Sequence, residues 1–246
     1  MALELVPLTK QQHAKTKLLP NPGFKHVKDE HIAPVLVQEF SRASSEFPIV
    51  FVKRNEEELQ PVVILGLKPG ENLYTDGQRW TGLYIPASVT HHPFALVPSS
   101  QNEDELMVAI LQGSDLLSEE EGQPLFDDKG EATELLERRK DAMLQQFEMA
   151  NVTRAFTKTI QELDLFEAQS LNLELNGEKV TINGLHMVNE KKLMDLPAKK
   201  VEDLNKRGLL GPIYAHLSSL HQIHRVATKR AELKPAEAPQ TEAAEA

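Results

Sequence analysis

The apolar and polar positions change period several times along this chain, and each change marks a new element. Residues 3–8 are a short strand-like run, followed by a polar, proline-bearing stretch around Pro20 to Gly23, so residues 1–24 are expected to form an N-terminal arm and linker. From Ile32, apolar Val35, Leu36, Phe40 and Ala43 fall at helical spacing and Pro48 closes the segment, which predicts a short amphipathic helix. The period then shifts. Residues 49–52 and 62–65 are β-branched runs separated by Asn55, three glutamates and Pro61, and are predicted to be neighbouring strands joined by a polar turn. Asp76 and Gly77 supply residues able to take positive φ in a tight hairpin. Pro86 and Pro93 bias the residues before them toward extended backbone. Residues 94–97 and 106–111 add two strands, ahead of an acidic link at 118–123 and the turn signal LFDDKG.

From Glu131 the pattern becomes helical and stays so for nearly forty residues. Ala132, Leu135, Leu136, Ala142, Met143, Phe147 and Ala150 fall at helical spacing and Phe156, Ile160 and Leu163 continue the stripe, with a break expected at residues 151–153, where helix propensity drops. LNLELNGEKVTING then places Asn176 and Gly177 between two alternating runs, the clearest hairpin signal in the chain. Short helices are predicted at 189–195 and 201–206, with Gly208 as a stop. A final helix from Leu209 carries Leu210, Ile213, Leu217, Leu220, Ile223 and Ala227 on one face. The expected fold class is therefore α+β: an antiparallel sheet from the N-terminal half, packed by a long central helix and a C-terminal helical part with one β-hairpin. One domain is expected over residues 25–233, β-rich at 47–126 and helical with the hairpin at 131–230. Residues 234–246 are too poor in apolar side chains to offset ordering entropy and are expected to form a disordered acidic tail.

Composition narrows the functional classes. A net charge of −10 with scattered Lys and Arg argues against a nucleic-acid grip, which needs a clustered basic surface. The absence of cysteine excludes disulfides, thiol catalysis and thiolate metal sites. The first twenty residues lack a basic region followed by an apolar one, and no window approaches the apolar length of a membrane span, so a cytoplasmic location is expected. No nucleophile elbow, phosphate loop or dinucleotide fingerprint is present, and catalytic residues are not identifiable.

Candidate chemistry concentrates in residues 66–97, which hold the single tryptophan and the adjacent His91 and His92. Neighbours on extended backbone point to opposite sides, so these two imidazoles are not expected to share an ion. On the last helix, His216 and His224 share a face but lie about 12 Å apart, and His221 with His224 lacks a third ligand. No metal and no cofactor is assigned. The candidate contact surface is Arg79, Trp80, Tyr84, His91, His92 and Phe94, for a protein or peptide partner. Two readings stay open: these residues line a recognition surface, or Trp80, Tyr84 and Phe94 form core beneath a loop. An alternative function is a metal-dependent enzyme or oxygenase partner using His91 or His92 with His216 or Tyr214.

Several segments in a fixed order resemble a known family. PIVF at residues 48–51, LGLKPGENLYTDGQRWTGLYIPASVTHHPFAL from Leu65, LFDDKGE from Leu125 and GLLGPIYAHLSSLHQI from Gly208 are similar to the SapC-like family, named for association with bacterial surface-layer proteins and distinct from the peptide-uptake permease of similar name. The resemblance implies a non-catalytic accessory or binding role linked to surface-layer or outer-membrane processes. It also implies a setting near flavin-dependent halogenases, cupin-like oxygenases and TonB-dependent receptors. It brings no reaction, cofactor or active-site residue with it.

Overall fold

The computed structural model describes residues 4–20, 23–98, 106–175 and 178–233. The first half of the chain runs β1 (Glu4–Pro7), α1 (Lys10–His13), β2 (Lys17–Leu18), β3 (Ile32–Pro34), α2 (Phe40–Ala43), β4 (Ile49–Lys53), β5 (Leu59–Ile64) and α3 (Ala87–Thr90). It continues with β6 (Phe94–Pro98), β7 (Leu106–Gln112), β8 (Leu117–Ser118), β9 (Gln123–Pro124) and α4 (Glu134–Glu162). The remainder is β10 (Phe166–Leu175), β11 (Glu178–Val188), α5 (Glu190–Met194), α6 (Ala198–Lys206), α7 (Leu210–Ser219) and α8 (Ile223–Glu232).

The strands form antiparallel sheets ordered β10-β11-β4-β5-β3, β1-β7-β6 and β8-β2-β9. This is the α+β fold expected from the pattern. The N-terminal segment read as an arm supplies β1, which pairs with β7, and β2, which lies between β8 and β9. In the five-stranded sheet β4 and β5 are central, and Ile49, Val50 and Phe51 are fully buried because alternate side chains enter two different cores. Ile49, Phe51 and Val63 face one core with Phe40, Phe156, Ile160 and Ile213. Val50, Val62 and Ile64 face another with Leu185, Met187, Ile223 and Val226.

α4 ties the largest core to the smaller sheet. Its N-terminal half sends Leu136 and Met143 into a third cluster with Phe94, Ile110 and Leu125, while its C-terminal half packs Phe156 and Ile160 on the large sheet. Thr133 caps it by accepting from the Leu136 N–H. It starts after the expected Glu131 because Asp127 accepts from the Lys129 and Glu131 N–H groups and Phe126 bridges Ala132, holding that stretch in a turn. The break expected at 151–153 does not occur, and the helix is continuous for 29 residues. Buried Thr153 supplies the reason: its hydroxyl donates to the Met149 carbonyl at 2.9 Å and accepts from the Val37 N–H at 3.0 Å, so tertiary bonding offsets its weak propensity.

Two further expectations are corrected. The predicted helix from Ile32 is instead β3, paired with β5, followed by a 3-10 turn at Val37–Glu39 and the single turn of α2. Pro34 forces Ala33 toward extended backbone, and the apolar spacing is satisfied by strand and turn in succession. The single final helix is two, α7 and α8, with a 3-10 turn at Leu220–Gln222 between them. A straight helix could not serve both faces of the sheet: Ile213 packs into the first core and Ile223 and Val226 into the second. The β10–β11 hairpin forms as expected, although its turn at 176–177 and the tail at 234–246 lie outside the described residues.

Candidate functional site

Residues 66–86 are irregular backbone fixed by side chains. A Cβ at Gly66 would lie 2.1 Å from the Glu71 carbonyl oxygen, so only glycine allows this close approach. The buried Glu71 carboxylate accepts from the Leu67 N–H at 2.9 Å and pairs with Arg230 of α8 at 2.6 Å. Tyr74 is fully buried, donates to the Glu46 carbonyl at 3.2 Å and lies under the Lys229 ammonium, 4.7 Å from the ring centroid. Burial, reinforced by the Glu46 charge, raises its phenol pKa. Asp76 accepts from the Gln78 and Arg79 N–H groups, which lower its carboxyl pKa, and the turn brings Thr75 opposite Trp80. The hairpin turn predicted at Asp76 and Gly77 is thus present, with Gly77 at φ 94°.

Two buried carboxylates then hold the next loop. Glu46, 2% exposed, accepts from the Leu83 and Tyr84 N–H groups, with Arg225 of α8 at 3.9 Å as its counter-charge. Glu39 accepts from the Leu36 N–H, the Ala87 N–H and the Tyr84 hydroxyl. Burial together with that bond to Glu39 raises the Tyr84 pKa. Trp80 Nε1 donates to the Tyr84 carbonyl at 2.8 Å, and its ring packs on Phe24, Phe47 and Tyr74. Gly82 is required beneath it, since a Cβ there would meet Trp80 Nε1 at 2.7 Å. The loop so fixed turns Leu83 outward, 92% exposed, with Arg79 also exposed.

The two adjacent histidines follow α3 on a turn, not on the extended backbone expected from sequence, and the His92–Pro93 peptide is cis. They have separate surroundings. His92 stacks on His26, centroids 4.1 Å apart and planes 9° from parallel, and its Nε2 meets the Ser114 hydroxyl at 3.2 Å. Burial, then the neighbouring His26, lowers its pKa to about 4 against a weaker pull from Asp115. Burial likewise lowers the pKa of His26, opposed by its bond to the Val89 carbonyl and by Asp115. His91 is lowered by burial and then by Arg139, with Glu39 opposing. His26 and His92 line a cleft of about 280 Å³ with Arg139 of α4.

The six residues read from sequence therefore do not converge on one surface. Trp80 and Tyr84 pack against the large core, Phe94 is buried in the third cluster, and His92 lines the cleft. Of the six, Arg79 alone is exposed. Nor does His216 join the histidines: it is fully buried, Nδ1 donating to the Ile49 carbonyl at 2.8 Å and Nε2 accepting from the Val188 N–H at 3.0 Å. Both ring nitrogens are occupied by backbone. Among the described residues no group of three His, Cys, Asp or Glu side chains is placed to hold a metal ion, and no helix is long and apolar enough to cross a membrane.

The family model described as SapC matches residues 8–226. The chain belongs to the SapC family. No curated protein and no solved structure matches it. The matched region of this SapC-family chain contains the collar around residues 79–87, the histidine cleft and the start of α8, and ends before Lys229 and Arg230. Sequence reasoning missed Glu39, Glu46, Leu83, His26 and Arg139. For the two acids a signal existed: Glu-Phe occurs at 39–40 and again at 46–47, placing a carboxylate beside a core aromatic both times.

Proposed function

We propose that this SapC-family chain is a non-catalytic accessory protein that grips a protein or peptide partner through the loop at residues 79–85. The carrying observation is Leu83, 92% exposed on a loop whose backbone is held by the buried Glu46 carboxylate. Burying a carboxylate is costly unless it is bonded, and here two of them, Glu39 and Glu46, fix one surface loop. An apolar anchor held rigid before binding loses little conformational freedom on contact, the condition under which one side chain dominates an interface. Arg79 adds a cation, so the fitting partner presents an apolar pocket with acidic groups at its rim.

In this reading the protein acts in the cytoplasm, serving the surface-layer or outer-membrane process, or the halogenase and oxygenase setting, that the family resemblance implies. The metal-dependent alternative draws no support from His91, His92 and His216, whose surroundings are separate and whose third member has both nitrogens bonded. Native-host purification with mass spectrometry, native chain against Leu83→Asp, tests the proposal. A partner retained by the native chain and lost by the variant, at equal melting temperature, supports it. An identical protein set from both, or a stoichiometric transition metal in the native chain, overturns it.

A further inference from the structure

The five-stranded sheet ends on two unlike edges. β3 is three residues long and contains Pro34, both of which blunt an edge. β10 runs for ten residues with neither proline nor lysine, and residues 168–173 are uncharged. Its one ladder is to β11, so alternate residues turn a main-chain N–H and C=O outward, where no main-chain group among the described residues bonds to them. β11 meets β4 only at Leu185 and His186, so the outer part of the β10–β11 hairpin has no third strand. Successive side chains of β10 take opposite faces. Leu171 and Leu173 are half-buried and pack with Val180 and Ile182 against the second core. Ser170, Asn172 and Glu174 are exposed on the other face, where Ser170 donates to the Asn183 side chain at 2.8 Å and Asn172 accepts from the Thr181 hydroxyl at 2.9 Å.

We propose that β10 pairs antiparallel with β10 of a second copy of this chain, about a two-fold axis at Asn172, joining two five-stranded sheets edge to edge. An open edge offers main-chain bonds to any extended strand, so side chains decide which strand fits. Residues directly opposite in an antiparallel ladder share a face. The register about Asn172 therefore sets Leu171 against Leu173 of the second copy, and Leu173 against its Leu171, on the apolar face. On the polar face Asn172 meets its own counterpart and Ser170 meets Glu174. Neither Glu167 nor Glu174 faces another acid. β10 is thus its own complement, which is what an isologous interface requires. The pairing does not involve the loop at residues 79–85 and does not rest on its proposed role.

Sedimentation velocity of the full chain from micromolar to millimolar concentration tests it. The native chain is expected to pass from 27.6 kDa to twice that mass. Asn172→Lys and Asn172→Glu each put like charges together at the axis and are expected to weaken association at least about tenfold at unchanged melting temperature. An equimolar mixture of the two variants is expected to restore it, since opposite charges then meet. A native chain that stays monomeric, leaving the edge to a foreign strand, overturns the proposal. Native-like association of either variant, or a mixture that stays monomeric, does the same. Should the variants fail to fold, amide exchange on the native chain decides: protection at residues 169–175 that rises with concentration supports the pairing, and unchanged protection overturns it.

Discussion

Val188 and Ile49, two positions beyond the last pair of the β11–β4 ladder, are joined through the imidazole of His216. The register that pairs Leu185 with Val52 and His186 with Phe51, continued past Met187 and Val50, would bring these two residues together. Instead the ring stands between them, accepting from the Val188 N–H and donating to the Ile49 carbonyl. Ser219, one turn further on, accepts from the Ile49 N–H at 2.9 Å. α7 thus completes the ladder with side chains. His216→Ala leaves a buried donor and a buried acceptor unpaired and is expected to cost about 3 kcal/mol, read as a lower urea midpoint at constant m-value.

The same ring makes stability fall in acid. Burial lowers the His216 pKa from 6.5 to about 4. The folded state therefore binds fewer protons than the unfolded chain between those values, so the ring's contribution is complete above pH 6.5 and is lost progressively toward pH 4. The loss attributable to His216 is about 3 kcal/mol at most. Part of it is expected to disappear in His216→Gln when urea unfolding is compared at neutral and acid pH. An acid slope unchanged by that substitution contradicts the assignment.

Trp80 is the only tryptophan, so its emission reports on the collar. Glu46→Ala releases the Leu83 and Tyr84 N–H groups and leaves Arg225 without its buried partner. A red-shifted emission and easier quenching by acrylamide are expected. Glu46→Gln keeps an acceptor oxygen and is expected to shift less. If both variants emit like the native chain, Glu46 does not hold the loop.

Glu71 and Arg230 form a partly buried pair between the loop and α8. A double-mutant cycle with alanine at both is expected to give a coupling of about 1–3 kcal/mol. A coupling near zero would mean that this pair does not tie α8 to the loop.

Gly66 and Gly208 separate two uses of glycine. At Gly66 a Cβ would collide with backbone, so Gly66→Ala is expected to cost about 3 kcal/mol. Gly208 takes φ 70° after α6 with open space around it, and Gly208→Ala is expected to cost only about 1 kcal/mol, the penalty of a left-handed residue with a Cβ. Thermal unfolding of both variants gives the ranking.

Much of this was legible in the sequence where one physical signal dominated. The β-branched runs of β4 and β5, the hairpin dipeptide between β10 and β11 and the apolar stripe of α4 all gave the right element. The misreadings arose where distant residues decided. Thr153 is helical because Val37 bonds its hydroxyl, and residues 32–34 are a strand because β5 supplies a partner edge. The candidate site was read from residue type, which marks Trp80 and Tyr84 correctly as unusual but cannot say that Glu39 and Glu46 draw them inward. Leu83 carries no signal in the chain, because nothing local distinguishes an exposed leucine from a buried one.

The placement of His216 bears on how the chain is made. β4 finds β5 within a few residues, but its other neighbour, β11, begins at Glu178, and the group that closes the ladder comes later still. During synthesis Ile49, Val50 and Phe51 wait beside an open edge until β11 and α7 have emerged. Nascent or truncated forms ending before α7 therefore present an adhesive apolar strand. The late histidine acts as a latch, so this apolar strand is closed off only once α7 arrives.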